Sequence, residues 1–218
     1  MVKIYIADVS KLNDEKTFSD LLSTVSKARQ EKVNKLRFQK DKSLSLGAGV
    51  LLNLALKDMG CKFSDNDIVF SQNGKPYIEN CKVKFNLSHS GTKVMCAVSE
   101  DDIGCDVEKV KDIDDKIAKR FFHNEEYDYI LSQKSEEKQK DAFFRLWTLK
   151  ESFLKITGLG MKLPLSDFSI IINDKDISIR QNLDKNDYRF FEIDLSDEYK
   201  YSVCFIGNNE VETKIVEL

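Results

Sequence analysis

The chain has 218 residues, enough for one sizeable domain or two small ones packed together, and 41% of them are hydrophobic, so a real core can be buried. Charged residues reach 33% but balance to a formal net charge of -3, which argues against a nucleic-acid binder with its basic excess. No run approaches the length of an apolar membrane span, and the N-terminus lacks the apolar segment of a secretory signal, so the sequence reads as cytoplasmic, with no membrane partner.

Residues 2–9 alternate and predict a first strand. A charge-rich helical stretch is expected from about Asp14 to Arg37. From Leu44 to Met59, residues Leu44, Ala48, Leu51, Leu52, Ala55 and Leu56 share one broad helical face, and Gly60 stands where a helix C-terminal glycine belongs. Ile68 to Phe70 reads as a short strand, and Asn73-Gly74 as a turn. Three strand-like runs follow, Lys82 to Leu87, Lys93 to Val98 and Ile103 to Val107, separated by Ser90-Gly91 and by acidic Glu100 to Asp102. They predict an antiparallel meander.

Helices are expected from Ile113 to Phe122 and from Asn124 to Leu131, with Asn124 as N-cap. A long, mostly buried helix follows from Asp141 to Thr157, and strands from Phe168 to Leu218. The order strand, helices, strands therefore occurs twice, which gives an α+β fold of two similar halves, 1–102 and 103–218, without a residue-level repeat. With no Gly/Ser linker, a flexible two-domain layout is not expected. The five cysteines are odd in number and form no CxxC pair, which predicts reduced, mostly buried thiols rather than a disulfide framework or a zinc site.

Three carboxylates are candidates for chemistry. Asp106 and Glu108 stand two apart in a strand, so both point to one face, and their mutual repulsion is what a hard cation such as Mg2+ relieves. The preceding Gly104 allows close backbone approach. Read alone, such a pair is more often the solvent face of an edge strand. Glu151 shares a helical stripe with Trp147 and Lys155, each four apart. Read alone, Glu151 and Lys155 form an ordinary helical ion pair, but the apolar residues around the stripe put it in a buried helix. His89, in the run Asn86-Leu87-Ser88-His89-Ser90-Gly91, lies at a strand end beside hydroxyls, where ligand sites gather, although a lone His is more often structural. Anion-binding candidates are Lys75 and the stretch Lys27, Arg29, Lys32, which as a bare charge run is usually a solvated helix face.

These fragments occur in a fixed order: Ser88-His89-Ser90, then Gly104-x-Asp106-x-Glu108, then Trp147-x-x-Lys150-Glu151-x-x-x-Lys155. Together they resemble 4'-phosphopantetheinyl transferases of the surfactin-synthetase-activating type. Gly74-Lys75-Pro76 is similar to that family's GKP turn, Phe121 to Tyr127 to its F-F-x-x-x-E-Y segment, and Gly158 to Phe168 to its continuation. The likeness covers roughly residues 26–170. After the position of Asp41, where relatives often carry Arg, this chain has Lys42, a point charge rather than a bidentate fork.

The resemblance implies two α+β halves about a pseudo-two-fold axis with the active site between them, and a monomer, because one chain supplies both halves. It implies transfer of the phosphopantetheine arm of coenzyme A to a serine of an apo acyl or peptidyl carrier protein, giving holo carrier and 3',5'-ADP. Asp106, Glu108 and Glu151 would hold Mg2+, and Lys155 would stabilise or protonate the leaving phosphate. Ser88, His89, Lys75, Lys32 and Arg29 would hold coenzyme A. Glu151, Glu126 or a metal-bound hydroxide would be the base. The segment Lys109 to Phe122 would receive the carrier, its lysines steering an acidic partner, although Ile113, Ile117 and Phe121 at spacing four read equally well as core. The alternatives are another magnesium-carboxylate phosphotransfer enzyme, which would act on nucleotides without coenzyme A, and a carrier-binding module without chemistry.

Overall fold

The computed structural model describes residues 1–64, 67–79, 81–112, 115–173 and 176–218, with the side chains of Asp115 and Met161 outside that description. The chain forms two compact units. One comprises Met1–Ile103 with Asn209–Leu218, the other Gly104–Asn208.

In the first unit, β1 (Val2–Asp8) is followed by a short 3-10 turn and then by α1 (Glu15–Thr24) and α2 (Lys27–Asn34). The single helical stretch expected here is thus two helices. Ser26 is the reason: its side chain accepts from the Arg29 N–H at 3.1 Å, capping a new helix start. Asp14 caps α1 in the same way, accepting from Thr17 N at 2.8 Å. The third helix, α3 (Gln39–Asp58), buries Leu44, Ala48, Leu51, Leu52, Ala55 and Leu56, the face read from their spacing. It ends in a Schellman arrangement. Gly60, at φ 70°, donates to the Lys57 carbonyl and Cys61 to that of Leu56, each at 2.9 Å.

Strands β2 (Ile68–Phe70) and β3 (Pro76–Ile78) form a small hairpin. β4 (Lys84–Ser90) and β5 (Lys93–Ser99) form a larger one, closed at Gly91 with φ 59°. α3 packs on a sheet of order β11-β1-β5-β4, whose edge strand β11 (Val211–Val216) comes last in the chain and runs parallel to β1. The Tyr5 hydroxyl donates to Asp58 at 2.7 Å, and Lys214 Nζ reaches the same carboxylate at 2.7 Å, joining β1, α3 and β11. Burial first, then the Asp58 carboxylate, pushes the Tyr5 phenol pKa up. Tyr5→Phe should lower unfolding free energy by about 1 kcal/mol. An unmoved urea midpoint would show that this bond adds nothing.

In the second unit, β6 (Ile103–Lys109) leaves the expected meander. Its sheet has the order β6-β10-β9, with β9 (Tyr188–Ile193) antiparallel to β10 (Tyr199–Ile206). Only β4 and β5 of the three predicted runs pair as a hairpin. The run 100–102 is bend and loop, and β6, buried along nearly its whole length, joins β10 as the edge of that other sheet. The helices are α4 (Asp115–Phe121), α5 (Asn124–Leu131) and α6 (Glu136–Thr157), followed by the hairpin of β7 (Ser169–Asn173) and β8 (Asp176–Arg180).

The N-cap of α5 is His123 rather than Asn124; its Nδ1 accepts from Glu125 N at 3.5 Å. α6 lies along β10 and ends at Gly158, at φ 67°. The reading of five thiols is also corrected: Cys61 and Cys81 form a disulfide, and Cys96, Cys105 and Cys204 are free and buried.

Candidate active site

The candidate side chains of the second unit lie on β6 and α6. Asp106 and Glu108 share one face of β6, Asp106 buried and Glu108 half-buried. The strand can approach α6 because position 104 has no side chain. A Cβ there would collide with the Ser152 carbonyl oxygen and lie 2.5 Å from Ile156 N.

This proximity brings Lys155 Nζ to 2.6 Å from Asp106 Oδ1. The partner of Lys155 is therefore a carboxylate on the strand, not only its helical neighbour Glu151. Burial opposes the charge on Lys155, but Asp106, with help from Cys105 and Glu151, outweighs it and raises the lysine pKa. Glu151 is half-buried, and its pKa is raised, first by desolvation and then by the negative charge of Asp106, with Glu108 adding to this and Lys155 opposing it. Glu151 thus feels both strand carboxylates from a half-buried position. Among the described residues, no three His, Cys, Asp or Glu side chains are already closed round an ion.

Glu126 has a different place. It is 2% exposed, and both its oxygens accept from Lys150 Nζ at 2.7 Å. One also accepts from Ile170 N at 2.7 Å and the other from His123 N at 2.9 Å. Lys150, completely buried, donates to the Phe168 carbonyl at 2.7 Å and sits 4.2 Å from the centroid of the Phe168 ring. Burial is the main influence on its pKa and lowers it, with Glu126 opposing. The pair ties α5, α6 and β7 together. Glu126, expected as a candidate base, accepts four hydrogen bonds from three donors, which occupies the lone pairs a base would turn to a substrate.

Trp147, at the apolar end of the stripe, stacks on Phe143 with ring centroids 5.6 Å apart. A second anchor leaves no mark in the sequence, because its partners are distant along the chain. Arg145 on α6 makes a bidentate pair with Glu192 on β9, at 2.7 and 2.6 Å, and donates to the Tyr129 hydroxyl at 3.2 Å.

In the first unit, Ser88 is buried and His89 exposed on β4, pointing to opposite faces as neighbours in a strand must. Lys75 Nζ donates to the Ile103 carbonyl at 3.2 Å. Arg29 and Lys32 line a common depression of about 260 Å³ with Ala28, Ile68 and Phe70. Arg29 is 5% exposed, and its side chain lies over Gly49, where a Cβ would meet Nε at 2.7 Å. Of the stripe proposed for a docking partner, Ile117 is half-buried and Phe121 is 40% exposed, with the Arg120 guanidinium 5.2 Å from its ring centroid. Ile113 lies outside the described residues.

The sequence matches the family description "4'-phosphopantetheinyl transferase superfamily" over residues 102–204 and "4'-phosphopantetheinyl transferase, N-terminal" over residues 13–101. It is 33% identical over 220 residues to the 4'-phosphopantetheinyl transferase gsp of Aneurinibacillus migulanus, covering 100% of this chain and 92% of that protein. It is 33% identical over 207 residues to the 4'-phosphopantetheinyl transferase Sfp of Bacillus subtilis, covering 93% and 92%. To the 4'-phosphopantetheinyl transferase HetI of a Nostoc species it is 34% identical, covering 67% and 65%. The chain belongs to the 4'-phosphopantetheinyl transferase family. By family it is an enzyme of the transferase class.

Proposed function

We propose that this protein transfers the 4'-phosphopantetheine arm of coenzyme A to a serine hydroxyl of an apo acyl or peptidyl carrier protein, in the cytoplasm and as a monomer. The observation that carries the reading is the carboxylate group of Asp106, Glu108 and Glu151 beside Lys155, in a chain whose relatives bear this activity in their names.

The donor set fits Mg2+. Three hard oxygen donors, two of which raise the proton affinity of the third, are stabilised by a divalent cation, and Asp106, Glu108 and Glu151 would hold it. When bound, such an ion polarises phosphate oxygens and orients them.

The residues then divide the work. The serine oxygen forms a bond to the β-phosphorus of coenzyme A as the bond to the bridging oxygen breaks, and 3',5'-ADP leaves. Glu151, half-buried on α6 beside the two strand carboxylates, would take the serine proton. Lys155 meets the charge that develops on the departing phosphate. In the first unit, Arg29 and Lys32 offer two cations beside the aromatic Phe70, suited to the phosphorylated nucleotide end of coenzyme A, and Lys75, Ser88 and His89 bind the remainder. Exposed Lys116, Lys119 and Arg120, with Phe121, form the docking face for an acidic carrier.

Steady-state kinetics on site variants test this assignment. Lys155→Ala should lower kcat by roughly 10²–10³-fold, the scale of one lost transition-state contact, with a smaller change in the KM for coenzyme A. A change in KM alone would remove Lys155 from the chemistry. Asp106→Asn should lower turnover on the same scale, and wild-type turnover at saturating Mg2+ would refute the metal assignment.

A further inference from the structure

The two linked cysteines stand apart from the other three in every respect that governs thiol chemistry. Cys96, Cys105 and Cys204 are completely buried, on three different strands. Cys61 and Cys81 are both half-buried, so a small thiol or disulfide can reach them. Their α-carbons are 6.5 Å apart, within the span that a disulfide bridges, although twenty positions separate them along the chain.

Each is tied through its backbone to a neighbouring element. Cys61 is fixed by its N–H bond to Leu56 at the C-terminus of α3, and Cys81 by its N–H bond to the Ile78 carbonyl, at 3.4 Å. Between these points runs the β2–β3 hairpin, which carries Phe70, Lys75 and the Asn73-Gly74 turn. β2 and β3 pair over only three residues each, and Phe70 is 63% exposed. A hairpin this short depends on what holds it, here the burial of Ile78 with Ile68 packed beside it and the Cys61–Cys81 link at its base.

We propose that Cys61 and Cys81 form a reversible thiol–disulfide couple that clasps the β2–β3 hairpin when oxidised and loosens it when reduced. Glutathione disulfide is the class of oxidant. One cysteine thiolate attacks it, giving a mixed disulfide and one glutathione. The second thiolate displaces the other glutathione and closes the Cys61–Cys81 bond. Two protons and two electrons leave the protein, and one glutathione disulfide becomes two glutathiones. Oxidation removes conformational freedom from the open chain rather than adding contacts to the closed one, so its effect falls on the hairpin. Because Phe70 and Lys75 lie on that hairpin, the oxidised form should bind coenzyme A more tightly, with kcat little changed; this second consequence rests on the function proposed above.

The full chain, equilibrated in glutathione buffers of graded oxidised-to-reduced ratio, quenched by alkylation and mapped by peptide mass spectrometry, tests the couple. Cys61 and Cys81 should pass from alkylated to linked across the series, and Cys96, Cys105 and Cys204 should be alkylated only after unfolding. The oxidised protein should melt roughly 5–10 °C higher, and its KM for coenzyme A should fall several-fold. Both differences should vanish in Cys61→Ser/Cys81→Ser. Failure of the pair to link at any ratio, or persistence of the link in excess dithiothreitol, would overturn the proposal. If the melting point follows the redox ratio but coenzyme A is not a substrate, the couple stands and the function falls. If transfer proceeds while melting point and KM ignore the ratio, the function stands and the couple falls.

Discussion

Replacing Lys150 by methionine should destabilise the protein by about 3–5 kcal/mol, because it leaves a carboxylate buried without its counter-charge. The two side chains are 0% and 1% exposed, so water cannot screen what remains. Methionine fills much the same volume, which isolates the charge from the packing. The other donors to Glu126, the backbone N–H groups of Ile170 and His123, do not neutralise it. The Phe168 carbonyl loses its donor as well. Pairing the change with Glu126→Gln removes the net buried charge and should recover part of the loss, so a double-mutant cycle on urea unfolding reads a coupling of a few kcal/mol. A single variant within about 1 kcal/mol of wild type would mean that the pair is no more than a packed polar contact.

Gly104→Ala should be nearly as damaging, for a steric reason. The backbone of Gly104 lies in a region that any residue adopts, so strain in φ is not at issue. The added methyl would fall on the Ser152 carbonyl oxygen and against Ile156 N, both parts of a helix backbone that has no side-chain freedom to yield. β6 must then move away from α6. Overpacking of this kind costs about 1–3 kcal/mol. The functional loss should be larger than the stability loss suggests. The same displacement opens the 2.6 Å contact of Lys155 with Asp106, and a shift near 1 Å at a reacting centre costs up to about 10²-fold in rate. Wild-type melting temperature together with wild-type kcat would show that β6 has room that the backbone geometry denies it.

Much of this arrangement was legible in the sequence because it is local. The buried face of α3, its Gly60 terminus, the shared face of Asp106 and Glu108, and the need for glycine at 104 all follow from spacing of a few residues. What the sequence hid was pairing at a distance. The run at Ile103 reads as a third strand of a meander, since the residues before it pair that way, yet its hydrogen-bonding partner is β10, about a hundred positions on. Lys155 reads as the helical partner of Glu151, because i, i+4 is the only neighbour a sequence displays, while its closest carboxylate is on a strand. Glu126 carried no mark to separate an acid that serves chemistry from one that is buried under three donors; burial decides that, and burial is a property of the fold. The break at Ser26 was written in the chain as a capping residue inside a charged helix, but such a serine is equally common on a solvated face. The cysteine count pointed to free thiols, and an odd total conceals one pair as readily as none.

The central claim is tested most directly by mixing the purified protein with an apo carrier protein, coenzyme A and MgCl2 and weighing the carrier by intact mass spectrometry, with EDTA in a parallel sample. The carrier should gain the mass of one phosphopantetheine group, and EDTA should abolish the gain. Unmodified carriers of the fatty-acid, polyketide and peptide types, under conditions where Mg2+ and coenzyme A are saturating, would contradict it.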